Sequence, residues 1–147
     1  MLQKMRERMG REEGFTLVEL LVVMLILGIL AAIAIPAFFN QRDKAHDAQA
    51  KSAARTAETA METYATDNGG SYAAADPTKL NAIENTLRTS GTNAITVPTA
   101  ASDNYKVTST SSTGTAFSIT RGSTGIVTFS CLPVNTGGCP SGGDWSN

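Results

Sequence analysis

The chain has 147 residues, 41% of them hydrophobic, and a formal charge of −1. That is enough for one small domain beside any dedicated apolar segment. With 12 bases against 13 acids, no strong field exists to draw in nucleic acid or an acidic surface.

Bases crowd the start, at Lys4, Arg6, Arg8 and Arg11, mixed with Glu7, Glu12 and Glu13. From Phe15 to Phe39 the only charged residue is Glu19. A carboxylate inside a membrane-length segment costs roughly 2.5–3.5 kcal/mol on insertion scales, so it marks a function and needs a partner. The only cation that could sit beside it within this segment is a new amino terminus made by cutting after Gly14. Phe15 and Glu19 are four residues apart and share a face if both are helical. An ordinary signal peptide is the rival reading, with Ala32-Ile33-Ala34 as its cleavage pattern. Against it, Leu20 to Phe39 is long for such a segment and suits a bilayer core of ~30 Å. Both that reading and a plain signal anchor leave Glu19 without a purpose.

The sequence Gly14-Phe15-Thr16-Leu17-Val18-Glu19-Leu20, with Gly28 midway along the apolar run and Pro36 near its end, resembles the processing site and N-terminal helix of type IV pilins. The pseudopilins of type II secretion share the motif. The specific resemblance covers residues 14 to about 40; beyond that it is one of architecture. It implies a cytoplasmic leader, residues 1–14, removed by a prepilin peptidase between Gly14 and Phe15. It further implies N-methylation at Phe15 and assembly through Glu19 and Thr16, with Glu19 pairing to the amine of Phe15, its own or a neighbour's. In assembled filaments of this family the helix between the positions of Gly28 and Pro36 is loosened. By their own chemistry, Gly28 weakens a helix by about 1 kcal/mol, and Pro36 removes a backbone hydrogen bond, so a bend is expected there.

Residues 15–39 read as the transmembrane or filament-core half of a long helix, and 40–66 as its amphipathic half. Ala50, Ala53, Ala54, Ala57, Ala60, Met61, Tyr64 and Ala65 recur at three- and four-residue spacing. A continuous helix from Phe15 to about Thr66 is roughly 75–80 Å long, far more than a bilayer needs. Asp67-Asn68-Gly69-Gly70 ends it with turn chemistry. A connecting region over 67–94 holds a short helix at about 77–89, capped by Asp76-Pro77 and closed by Gly91. From Ile95 the period changes to two. Tyr105 and Val107, then Phe117 and Ile119, then Val127, Phe129 and Cys131 alternate with polar residues around turns at Thr113-Gly114 and Arg121–Gly125. Residues 95–147 therefore read as a three- or four-stranded antiparallel meander with a C-terminal cysteine loop. The fold class is α+β: one long N-terminal helix laid on a small sheet, which is also the pilin fold by resemblance.

Cys131 and Cys139 lie close together, and an exported domain can join them. A zinc site is the alternative, but the lone His46 lies far away on the long helix. Asp43 and Asp47 are an i,i+4 pair that could hold a cation; a solvated helix face accounts for them more simply. The Asp-Asn-Gly-Gly run lacks the alternating acids and distal glutamate of a calcium loop. The Ser/Thr tract over 108–113 fits either O-glycosylation or strand and turn. No catalytic, cofactor-binding or metal residues are assigned, and no nucleic-acid site is evident. The expected partners are further copies of the chain, the prepilin peptidase, an inner-membrane assembly platform, and membrane lipid before assembly. The expected location is the inner membrane as a single-pass precursor, then a cell-surface filament. The functional expectation is a type IV pilus subunit, with the major pseudopilin of a type II secretion system as the alternative. The resemblance implies that such a pseudopilin usually lacks a C-terminal cysteine pair and carries a calcium site of sheet-region acids. Here Cys131 and Cys139 are present and only Asp103 and Asp144 are acidic beyond residue 90, which favours the first.

Overall fold

A computed structural model describes residues 14–146, and its elements run α1 (Leu17–Asp67), α2 (Pro77–Ile83), β1 (Ile95–Ala100), β2 (Tyr105–Thr110), β3 (Ala116–Arg121) and β4 (Val127–Leu132). The chain divides into two compact units, one ending at Phe38 and the other beginning at Phe39.

Helix α1 begins two residues later than the periodicity predicts, because Thr16 is its cap and not its first turn. In the unit ending at Phe38, its side chains are exposed almost throughout, from Leu17 to Phe38. The helix is long and apolar enough there to cross a membrane. Both Gly28 and Pro36 lie inside it.

From Phe39 onward, α1 packs on a four-stranded antiparallel sheet of order β1-β2-β3-β4. Ala50, Ala54, Ala57, Ala60, Met61 and Tyr64 form the buried stripe, and Tyr105, Val107, Phe117 and Ile119 face it from the sheet. The small alanines let the helix backbone lie close to the large strand residues, while Ala's high helix propensity keeps the stripe helical. On the exposed side of α1, the hydroxyls of Thr56, Thr59, Thr63 and Thr66 each donate to the carbonyl four residues back, at 2.9–3.2 Å. These hydroxyls are thus satisfied within the helix.

The helix ends as its turn chemistry predicts. Gly70 N–H donates to Ala65 O at 2.7 Å, with Gly69 and Gly70 both at positive φ. Helix α2 starts as expected, Asp76 accepting from Lys79 N–H at 2.9 Å with Pro77 first in the helix. It stops at Ile83, six residues short of the predicted end. Glu84 turns extended, and its Oε1 accepts from both the N–H and the hydroxyl of Thr86. That local side-chain bonding competes with the helix ladder. Leu80 and Leu87 are buried, whereas Ile83 is partly exposed.

Pro98 lies within β1, an edge strand, and the pairing with β2 shifts register between Thr96 and Thr99. An edge strand with an irregularity is where a residue without an N–H is tolerated. The Ser/Thr tract forms the end of β2 and the turn into β3. Ser109 and Ser111 are buried, and the cross-strand pair Thr108–Ser118 joins its hydroxyls at 2.8 Å.

Candidate functional site

Two places in the chain carry chemistry: the start of α1 and the junction between α1 and the C-terminal loop. At the first, Glu19 Oε2 accepts from Thr16 N–H and from Thr16 Oγ1, each at 2.9 Å, while Glu19 N–H donates to Thr16 Oγ1 at 3.2 Å. This is the reciprocal capping box of a T-x-x-E sequence. It gives the carboxylate two donors from within its own first turn. In the full chain the Phe15 nitrogen is a peptide nitrogen, and Thr16 is the partner of Glu19; the pairing expected with a Phe15 amine concerns a cut chain. Gly14 and Phe15 precede the helix, and Phe15 is 82% exposed. Gly14 to Thr16 thus lie outside the helix and are exposed. The basic residues expected to form a leader fall outside the described residues.

The second place was not foreseen. Asp47, read from sequence as part of a solvated face, is fully buried. Its Oδ2 accepts from Gly138 N–H at 2.7 Å, and its Oδ1 accepts from Thr113 Oγ1 at 2.6 Å. Lys51, one turn on, donates from Nζ to Gly138 O at 2.7 Å. Gly138 is thus held through both its N–H and its carbonyl. A Cβ at Gly138 would stand 2.9 Å from Asp47 Cβ, and one at Gly137 would fall on Asp47 Oδ2. Gly137 also has φ +53, so a side chain there is strained as well as obstructed. A signal for this arrangement existed: position 47 continues the spacing of Ala50, Ala54 and Ala57 toward the N-terminus, which puts it on the buried stripe. Its partners could not be found that way, because they lie 66 and 91 residues along the chain.

The loop that Asp47 holds is closed by a disulfide between Cys131 and Cys139, with Cα atoms 5.8 Å apart. Beyond it, Gly143 O accepts from Cys131 N–H at 2.8 Å, and Trp145 Nε1 donates to Ser130 O at 2.9 Å. Trp145 is almost wholly buried and meets Phe117 and Phe129 edge to face. Lys51 and Arg55 lie over aromatic rings, with Lys51 Nζ 5.2 Å from the Phe117 centroid and the Arg55 guanidinium 5.5 Å from Trp145. Burial pushes the Lys51 pKa down, Asp47 opposes that shift, and Arg55 adds to it. Elsewhere on the helix, Glu62 accepts from the phenols of Tyr72 and Tyr105 at 2.8 and 3.0 Å and lies 3.9 Å from Arg121. Burial first, then the Glu62 charge, pushes the Tyr105 phenol well up. Among the described residues, no group of three or more His, Cys, Asp or Glu is placed to hold a metal.

Residues 9–35 match the family model for the prokaryotic N-terminal methylation motif. The type II secretion system core protein G of Aeromonas hydrophila is 41% identical over 58 residues, 40% of this chain and 41% of that protein. The same protein of Pseudomonas aeruginosa is 40% identical over 58 residues, with 40% and 41% covered. The type IV major pilin protein PilA of Myxococcus xanthus is 43% identical over 54 residues, 37% of this chain and 24% of that protein. The N-terminal two fifths of the chain is thus similar to type IV pilins and to type II secretion pseudopilins alike. The similarity spans about two fifths or less of the length of these relatives. No solved structure matches the chain.

Proposed function

We propose that this pilin-like chain is the repeating structural subunit of a type IV pilus. The observation that carries the reading is the start of α1: a lone, capped carboxylate leading an uncovered helix apolar from Leu17 to Phe39, directly after a Gly14-Phe15 junction. An apolar helix of this kind needs lipid or other helices around it. The subunit waits in the inner membrane as a single-pass precursor. A prepilin peptidase cuts between Gly14 and Phe15, and Phe15 becomes the methylated N-terminus. The new ammonium then competes with Thr16 for Glu19. Its attraction to the carboxylate of a neighbouring copy sets the axial register, since a charge removed from water costs several kcal/mol unless paired. The inner-membrane platform drives assembly into a surface filament, during which Gly28 and Pro36 loosen the helix between them.

The secretion pseudopilin is the second reading, favoured by the core protein G relatives. Two observations support the pilus over it. The C-terminal loop is closed by a disulfide. The two acids beyond residue 90 are engaged locally, Asp103 by Asn104 and Asp144 by Ser146 N–H, and do not converge.

N-terminal sequencing and mass of sheared surface material test the first step. The expected mature chain begins at methylated Phe15; one beginning at Ile35, or retaining Met1, overturns the reading. Deleting the gene separates the two systems. Loss of surface filaments with normal export of secreted enzymes is expected, and the reverse pattern assigns the chain to secretion.

A further inference from the structure

We propose that Asp47 is the positioning residue for the Cys131–Cys139 bridge, so that docking of the C-terminal loop on α1 and closure of the disulfide are one coupled event. Cys131 is fixed by β4, paired across the sheet with Phe117. Cys139 lies in no named strand; its N–H closes a local turn to Thr136 O at 2.9 Å, and the contact from this turn to the helix is made by its neighbour Gly138. Gly138 donates to Asp47 and accepts from Lys51, and the missing side chains at Gly137 and Gly138 are what permit the approach. On the far side of the loop, Gly143 and Trp145 tie the tail back to β4. Cys139 is thus set opposite Cys131 by contacts on both flanks, one of which crosses to the helix. A buried carboxylate with two donors and a nearby ammonium is costly to leave without them.

Coupling is reciprocal. Whatever free energy the closed ring adds to the Asp47–Gly138 contact, that contact adds to ring closure. In exchange with oxidised glutathione, a Cys139 or Cys131 thiolate attacks the glutathione disulfide, and one reduced glutathione leaves. The second protein thiolate then attacks the mixed disulfide, and another reduced glutathione leaves. One protein dithiol is oxidised, one glutathione disulfide is reduced, and two protons are released to solvent or carried on the glutathione thiols. The equilibrium constant of that exchange reads the effective concentration of the two cysteines, which Asp47 raises. A chain whose cysteines are still reduced accordingly has a loosely held loop and an underused buried carboxylate. Oxidation after export completes the headgroup.

The test is the exchange equilibrium of the full chain in detergent micelles, equilibrated with mixtures of reduced and oxidised glutathione, quenched by alkylation and read by intact mass. Asp47→Ala and Gly138→Ala are each expected to lower the constant about ten- to a hundredfold, the range for one lost hydrogen bond to a buried charge. Asp144→Asn, an exposed acid of the same tail, and Leu80→Ala, a core change on α2, are expected to leave it within about twofold. Leu80→Ala lowers the melting temperature without touching the loop and so separates coupling from general destabilisation. Should Asp47→Ala fail to fold, Gly138→Ala decides, since it leaves the carboxylate in place and displaces only the loop. Wild-type constants in the folded variants, or an equal drop in Leu80→Ala, overturn the proposal. The measurement needs no filament, so its failure is distinct from failure of the pilus reading.

Discussion

Three side chains show how one group can decide a local structure. Thr113 is the hairpin's hold on Asp47. Thr113→Val keeps the shape and removes the donor, so unfolding in urea should show a loss of about 1.5–3 kcal/mol, the value for a hydrogen bond to a charged group. Glu58 behaves oppositely. Burial, then Glu62, pushes its pKa up, against a smaller lowering by Arg55. A carboxyl with a raised folded pKa favours the folded state when protonated, and that contribution is lost as pH rises from the ordinary value of 4.5 through the raised one. Glu58→Gln should therefore stabilise the fold at pH 7 by a few tenths of a kcal/mol, solvent screening keeping the effect small. It should also flatten the fall in melting temperature as pH rises above 4.5. Thermal melts from pH 4 to 7 check both. At the start of α1, Glu19→Ala should leave the headgroup's melting temperature unchanged, because the Thr16 cap lies in the other unit. Filament yield should fall sharply; normal filaments at normal rate would refute the assembly role of Glu19.

At the level of elements, the alanine stripe and the C-terminal tail are the testable parts. Ala57 is fully buried among far larger residues. Ala57→Leu overfills that space, and a loss of about 1–3 kcal/mol is expected in the same urea titration. Trp145 is the only tryptophan, so its fluorescence reports the tail alone. Its emission should shift to the red when the tail leaves Phe117 and Phe129, and Trp145→Ala should cost about 3–5 kcal/mol. Elements were the most legible scale in the sequence. Period 3.6 and then period 2, with Gly and Asp-Pro punctuation, marked the helix, the second helix's start and the last three strands, and left open whether the stretch around Pro98 made a fourth, which it does as β1. What was hidden is non-local. The early end of α2 depends on Glu84 bonding Thr86, a choice that propensity does not rank. The burial of Asp47 depends on two glycines that look like loop filler until the loop meets the helix.

For the molecule as a whole, the disulfide and the tail stabilise a headgroup with few large apolar residues. Cys131→Ser should lower stability by about 2.5 kcal/mol on the loop-entropy account, measured against the oxidised parent. The two sheet edges carry a further implication. On β1, Pro98 offers no N–H and the register slips beside it. On β4, the N–H of Cys131 already donates to Gly143 O. Each edge thus offers an incoming strand an interrupted row of partners, which is how natural sheets discourage runaway pairing. Copies crowded together in a membrane or along a fibre would then recognise one another through side chains and helices, without templating each other as amyloid does. Release of either edge, by replacing Pro98 or by freeing the tail, is the change that should let such crowding turn into aggregation.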